Sequence, residues 1–212
     1  MMYANQMIFR VFQTASTQEI ALPNADAPSM LYVQDGTVTI DGMALEAGNG
    51  TFLAAGTAGT VTGTGRFCLW SLGEVPQETP EHCVLQDHAG LDLAPGTYAF
   101  RLDSVGFPKG ARAYRHEHPG PGFRYLLFGQ LEIKSDDHST LITPGVPWFE
   151  GAHSPVTAIC AEDRESRFVR AHLLPEAYLG KPTIRYLNAE DEAKPKLQTH
   201  ERFCEYLVKL GD

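Results

Sequence analysis

The sequence predicts an all-β chain made of two tandem copies of one small barrel. Three observations lead there. Its 20 glycines and 14 prolines are spread along the chain, which suits many short strands and turns better than long helices. Leu31-Tyr32-Val33-Gln34-Asp35-Gly36-Thr37-Val38-Thr39-Ile40 lines up without a gap on Arg124-Tyr125-Leu126-Leu127-Phe128-Gly129-Gln130-Leu131-Glu132-Ile133, so the chain repeats itself. Each copy reads as strand, turn, strand, with alternating residues after a glycine that is free to take positive φ.

The likeness continues beyond these strands. Ala47-Gly48 precedes Thr51-Phe52 as Pro144-Gly145 precedes Trp148-Phe149, and Arg66-Phe67 answers Arg167-Phe168. The hairpin between is longer in the second copy, where Ser135-Asp136-Asp137-His138 forms a polar loop. These matches place a first unit at residues 1–85 and a second at 86–175, with a tail at 176–212 that packs on a barrel or on a partner subunit. Glu74 to His88 is polar and broken by proline, and reads as the linker. Residues 200–210 carry an apolar face that fits helix or strand spacing equally.

Composition narrows the function. Hydrophobic residues make up 43% of the 212, enough for real cores, and the formal net charge is −9. A negative surface repels phosphate backbones, so nucleic acid is not the expected partner. No basic, apolar and small-residue leader opens the chain and no long apolar run follows, so the expectation is a cytoplasmic protein without a membrane segment. Cys68, Cys83, Cys160 and Cys204 are widely spaced and form no C-x-x-C pair, which suits reduced thiols. No phosphate loop, dinucleotide fingerprint or nucleophile elbow is present.

The chemistry concentrates in Tyr114-Arg115-His116-Glu117-His118. Residues two apart on a strand share a face. His116 and His118 therefore converge, with Arg112 and Tyr114 on the same side, and two converging imidazoles begin a site for a divalent transition metal. Pro119-Gly120-Pro121-Gly122 then puts the pair at a strand end. Arg112, Tyr114, Arg124 and Tyr125 are candidates to bind an anionic or polar substrate, although Tyr125 is equally a core residue, as its twin Tyr32 suggests. His82, His88, His138, His172 and His200 lack partner spacing and read as exposed or incidental.

The spacing around these histidines resembles the first motif of the cupin superfamily. Gly110, five residues, His116-x-His118, three residues, Gly122, six residues, Gly129 keeps that motif's intervals, with Gly122 where its glutamate stands. The strings RHEHPGPGFRYLLFG, WFEG and GKPTIRYLNAEDEAKPK are similar to those of bacterial cupin-domain proteins. The resemblance covers both repeats and implies a bicupin of two jelly-roll barrels. Counted from Gly145, the family's second-motif histidine falls on Val156, so His153 and Glu150 are the rival candidates to complete a metal site. Glu150 has the apolar Leu53 as its counterpart in the first copy, as expected of a side chain turned into a barrel. Pro23 and Ala25 stand where His116 and His118 stand in the second copy, so the first barrel is expected to be structural.

Two functions follow from the resemblance. One is a metal-dependent enzyme, oxygenase-, isomerase- or lyase-like, with Fe, Mn, Ni or Zn on His116 and His118 and a small polar substrate. The other is a non-catalytic bicupin that binds or senses a small molecule and keeps a vestigial metal site. A homodimer is expected for either, since sheet edges need cover.

Overall fold

A computed structural model of the chain describes residues 5–23, 26–57, 59–76 and 78–211. Ala25, one of the two residues at the histidine positions of the first copy, lies outside the described residues. The protein is built almost wholly of antiparallel strands, as the turn-rich sequence predicts. No helix among the described residues is long and apolar enough to cross a membrane.

The chain divides into two compact units, one formed by residues up to 98 together with 203 onward, the other by residues 99–202. The first unit contains β1 (Gln6–Thr14), β2 (Ile20–Ala21), β3 (Ser29–Ile40), β4 (Met43–Glu46), β5 (Gly50–Leu53), β6 (Thr60–Leu72) and β7 (Cys83–Gly90). They are ordered β4-β3-β6-β1-β7, with β2 on β6 and β5 on β3. Because β7 pairs with β1, the boundary falls beyond residue 85, and the stretch from Cys83 is a strand rather than linker. Its buried core includes Phe12, Leu31, Val33, Leu53, Val61, Phe67 and Leu69.

The second unit continues with β8 (Gly96–Phe107), β9 (Arg112–Glu117), β10 (Gly122–Phe128), β11 (Leu131–Lys134), β12 (Ser139–Ile142), β13 (Pro147–Glu150), β14 (Val156–Cys160) and β15 (Ser166–Pro175). After a 3-10 turn at Glu176–Tyr178 come β16 (Arg185–Tyr186), the short helix α1 (Ala189–Ala193) and β17 (Thr199–Leu210), which settles residues 200–210 as strand. One sheet is ordered β13-β10-β15-β8-β17 and the other β12-β11-β14-β9-β16. The segment read as a tail divides between the units, its residues up to 202 in this one and those from 203 in the first; β16 pairs with β9, Arg185 opposite Glu117 and Tyr186 opposite His116.

The repeat seen in sequence is also a repeat of register. Val33 faces Phe67 as Leu126 faces Phe168, and Asp35 faces Arg66 as Phe128 faces Arg167. The extra residue, Gln34 or Leu127, makes a β-bulge at the same point of both copies. Gly36 and Gly129 both take positive φ, 75° and 89°, and a Cβ there would lie 2.0 Å from Thr64 O or 2.2 Å from Glu165 O. The copies then diverge. β3 runs on through Gly36, whereas the chain leaves β10 at Gly129 and enters the other sheet as β11.

Candidate functional site

Equivalent positions of the two copies hold opposite chemistry. Leu31, Leu53 and Leu69 are buried core residues of the first unit. Carrying the repeat alignment along β3/β10, β5/β13 and β6/β15 puts Arg124, Glu150 and Arg170 in their places. One unit is therefore packed with leucine at these positions, while the other holds two guanidiniums and a carboxylate. In the second unit these groups line a cavity of about 470 Å³. Its apolar wall includes Phe107, Ile133, Trp148, Val156 and Phe168, and five lining residues are cationic: Arg101, Arg124, Arg170, Lys196 and Arg202. The size falls in the usual range for a small-molecule site.

Strand alternation explains which side chains enter. On β8, Arg101, Val105 and Phe107 share the inward face with Asp103, which lies behind the wall. On β15 the inward series includes Phe168 and Arg170, and on β13 Trp148 and Glu150. On β9 the alternation is broken. Val156 pairs with His116 and Ala158 with Ala113, so two steps on β14 oppose three on β9. The bulge turns Ala113 and His116 to the same cavity. It corrects the sequence reading of Arg112 and Tyr114, which do not line the cavity. Arg112 is exposed, and the Tyr114 ring has Lys194 Nζ 4.6 Å from its centroid. Tyr125 is a buried core residue and is also absent from the cavity wall. Of the four substrate-binding candidates, the structure places only Arg124 in the cavity.

His116 and His118 do come together, their ring centroids 5.0 Å apart. Both are buried, and each has a nitrogen already engaged. His116 Nδ1 lies 2.7 Å from the carbonyl of Tyr114. His118 Nδ1 lies 3.2 Å from the carbonyl of Thr183, so Nδ1 carries the proton and donates. That leaves the Nε2 lone pair of His118, which accepts from Arg170 Nη1 at 3.1 Å. Burial pushes His118 well below the ordinary histidine range, and the charge of Arg170 adds to the effect. His116 is lowered too, chiefly by burial. Both rings are neutral at pH 7.

Arg170 is clamped from behind. Asp103 is fully buried and accepts from Arg170 Nε at 2.7 Å and Nη2 at 3.3 Å. It also accepts from His200 Nε2 at 2.9 Å. Burial alone would raise the Asp103 carboxyl, but Arg170 and the neighbouring histidines outweigh it and hold it well below the carboxylate range. The sequence reading of His172 and His200 as exposed or incidental fails for His172, while His200 is exposed as expected but bonds Asp103. His172 is fully buried, 3.4 Å from Asp103, with neither ring nitrogen in a hydrogen bond among the described residues. Its pKa falls to about 3, through burial first and Arg170 second. Extending the Phe67/Phe168 match by two and four residues pairs Leu69 with Arg170 and Ser71 with His172, the signal that would have found them.

Glu150 and His153 separate cleanly. Glu150 points into the cavity, as its counterpart Leu53 suggests. Its Oε1 accepts from Trp148 Nε1 at 2.8 Å, and its Oε2 lies 2.7 Å from Arg124 Nη2. That second approach is close but lies outside hydrogen-bonding geometry, so the fully buried Nη2 has no hydrogen-bond partner among the described residues. Burial lowers the Arg124 pKa to about 10, which leaves it charged at neutral pH. His153 instead sits on the surface, its Nδ1 2.8 Å from Glu117 Oε1, and Arg185 holds the same carboxylate. His82, His88 and His138 do not line the cavity.

This donor set does not fit a divalent metal. One imidazole lone pair is taken by a guanidinium, Glu150 is committed to Arg124 and Trp148, and His153 faces away. No group of three His, Cys, Asp or Glu among the described residues is placed to hold an ion. The motif's glutamate position is closed as well. A Cβ on Gly122 would lie 2.3 Å from Ala171 O and 2.5 Å from His172 Cβ. In the first copy the same pair is Ser29 and Ser71, joined by a 2.9 Å hydrogen bond.

No protein-family model matches the chain, and no curated protein matches it. Solved structures do. The chain is similar to an oxalate decarboxylase of Lactobacillus farciminis, solved as a formate complex, with 9% identity, 91% of this chain and 82% of that one covered, and a TM-score of 0.57. It is similar to protein Ylba from E. coli, with 17% identity, 80% and 77% covered, and a TM-score of 0.53. It is also similar to protein YhaK from Escherichia coli, with 14% identity, 81% and 86% covered, and a TM-score of 0.50. At such identities the likeness establishes a shared fold and leaves function to the site.

Proposed function

For a chain whose fold is that of the cupin superfamily, we propose that the second unit is a binding module for a small organic anion with an apolar body. In this reading the chain is a bicupin whose first barrel is filled and structural. The observation that carries it is the exchange of Leu31, Leu53 and Leu69 for Arg124, Glu150 and Arg170 around a cavity with otherwise apolar walls. Burying charge is costly unless it is paired or hydrogen-bonded. A core that could have been leucine, and in the other copy is leucine, holds charge for a reason other than stability. Arg124 supplies the second support: its buried guanidinium, ion-paired with Glu150, lies on the wall of a cavity that admits a ligand, and its Nη2 is not in a hydrogen bond among the described residues. A carboxylate oxygen satisfies it, and aromatic and aliphatic side chains receive the rest.

The test is calorimetric titration of the whole chain with benzoate and hexanoate, against benzamide and hexanamide as neutral mimics. A hydrogen bond to a charged group contributes about 1.5–3 kcal/mol, so the acids are expected to bind at least about tenfold tighter than the amides. Arg124→Leu/Glu150→Leu copies the first unit's interior and should abolish binding. Equal affinity for acids and amides would refute the proposal.

A further inference from the structure

The disagreement between the donor set and a metal ion has a positive side. We infer that Arg170 supplies the fixed cation of this cavity and that the site binds its ligand without a divalent metal. The ligand half of this inference rests on the anion-binding reading above. The metal half stands on the geometry alone.

Arg170 is placed as a docking cation, not as a surface charge. Its side chain is 5% exposed, and it lines the cavity. Asp103 holds it side-on through Nε and Nη2, the two-point arrangement in which a guanidinium loses most of its freedom. His118 takes one N–H of Nη1. A guanidinium carries five N–H donors. Three are thus accounted for, and the two that remain, one on each terminal nitrogen, are donors for an oxyanion. Arg124, ion-paired with Glu150 through Nη2, adds a second cation from the neighbouring strand β10.

The histidines fall into place around this centre. His118 is held as the Nδ1–H form by Thr183, so its Nε2 must be an acceptor, and the acceptor it offers is used to fix Arg170. A divalent ion approaching the same nitrogen meets the guanidinium's positive charge and finds the lone pair taken. The closed position at Gly122 removes the carboxylate that would have balanced such an ion. His-x-His spacing, which in sequence announces a metal, here serves to orient an arginine.

The experiment uses the full chain purified without an affinity-tag metal. Dialysis against Mn2+ or Zn2+ should leave no stoichiometric metal, and EDTA should leave benzoate affinity unchanged. Arg170→Met/Asp103→Leu removes both members of the buried pair. It should keep the β-rich circular dichroism spectrum and weaken benzoate binding at least about tenfold, equivalent to 1.4 kcal/mol. Arg170→Lys, which keeps a charge beside Asp103 but loses the planar fork, should weaken it as well. One metal per chain, lost on His118→Ala, would overturn the inference and leave the proposed function standing. Undiminished benzoate affinity in both Arg170 variants would do the same. No binding of benzoate or hexanoate by the wild type would count against the proposed function, while the dialysis still decides the metal half.

Discussion

Asp103→Asn isolates the cost of holding a buried cation in the second unit. Asp103 is fully buried and Arg170 nearly so. The carboxylate accepts two bonds from the guanidinium and one from His200. Removing one partner of a buried pair strands the other, which costs about 3–5 kcal/mol. With a urea m-value of about 2 kcal/mol/M, the midpoint should fall by roughly 1.5–2.5 M. The chain has two tryptophans, Trp70 in the first unit and Trp148 on the cavity wall of the second. Urea unfolding read from Trp148 fluorescence in a Trp70→Phe background therefore reports on the right unit. The double variant Asp103→Leu/Arg170→Met should recover to within about 1 kcal/mol of wild type or exceed it, because an apolar pair replaces two buried charges. The fold accepts that exchange, since Leu69 already fills the equivalent place in the first unit. A loss below about 1 kcal/mol for Asp103→Asn, or a double variant worse than the single, would refute the reasoning.

Further outcomes follow from the same geometry. His116, His118 and His172 all have folded pKa values below the ordinary 6.5. Below that pH the unfolded chain takes up protons that the folded one does not, so stability is lost as pH falls from 6.5. The slope is up to about 1.4 kcal/mol per pH unit for each ring. Urea midpoints at pH 7 and 5 measure it, and equal midpoints would contradict the neutral, buried state of these rings. Gly122→Ser should destabilise by about 1–3 kcal/mol through overpacking. Gly122→Ser/His172→Ser, which copies the Ser29–Ser71 pair, should cost less than the single change in the same denaturation assay. His200→Gln should cost no more than about 1 kcal/mol, since its side chain is 43% exposed and Asp103 keeps Arg170.

What could be read from the sequence, and what could not, divides along physical lines. The fold was legible because a repeat is an alignment of the chain with itself. Tyr32 with Tyr125, Gly36 with Gly129 and Phe67 with Phe168 hold the same register in both units, down to the bulges at Gln34 and Leu127. The inward turn of Glu150 was legible for the same reason, through Leu53. The site was legible only in part. His116-x-His118 implied two side chains on one face with Arg112 and Tyr114, but a bulge on β9 breaks that alternation between Ala113 and His116, and no residue type there signals it. Partners such as Asp103 and Thr183 are far away in sequence, at positions no local spacing connects to the histidines.

The differences between the two copies hold more information about function than their matches do. Where two copies of one fold share a strand register, a shared apolar residue reports packing, which any stable barrel needs. A leucine that becomes arginine at an inward position reports something packing does not need, because the exchange gives up buried apolar area at about 25 cal/mol per Å² and adds a charge that must be compensated. Three leucine positions carry charge in the second unit, two as arginine and one as glutamate, on strands β10, β13 and β15, and all three meet at one cavity. Independent drift of a purely structural unit has no reason to place a carboxylate within 2.7 Å of one arginine and a second carboxylate within 2.7 Å of the other. The paired compensation supports the proposal that the cavity of the second unit is a binding site, and the two arginines on its wall are the reason the proposed ligand is an anion.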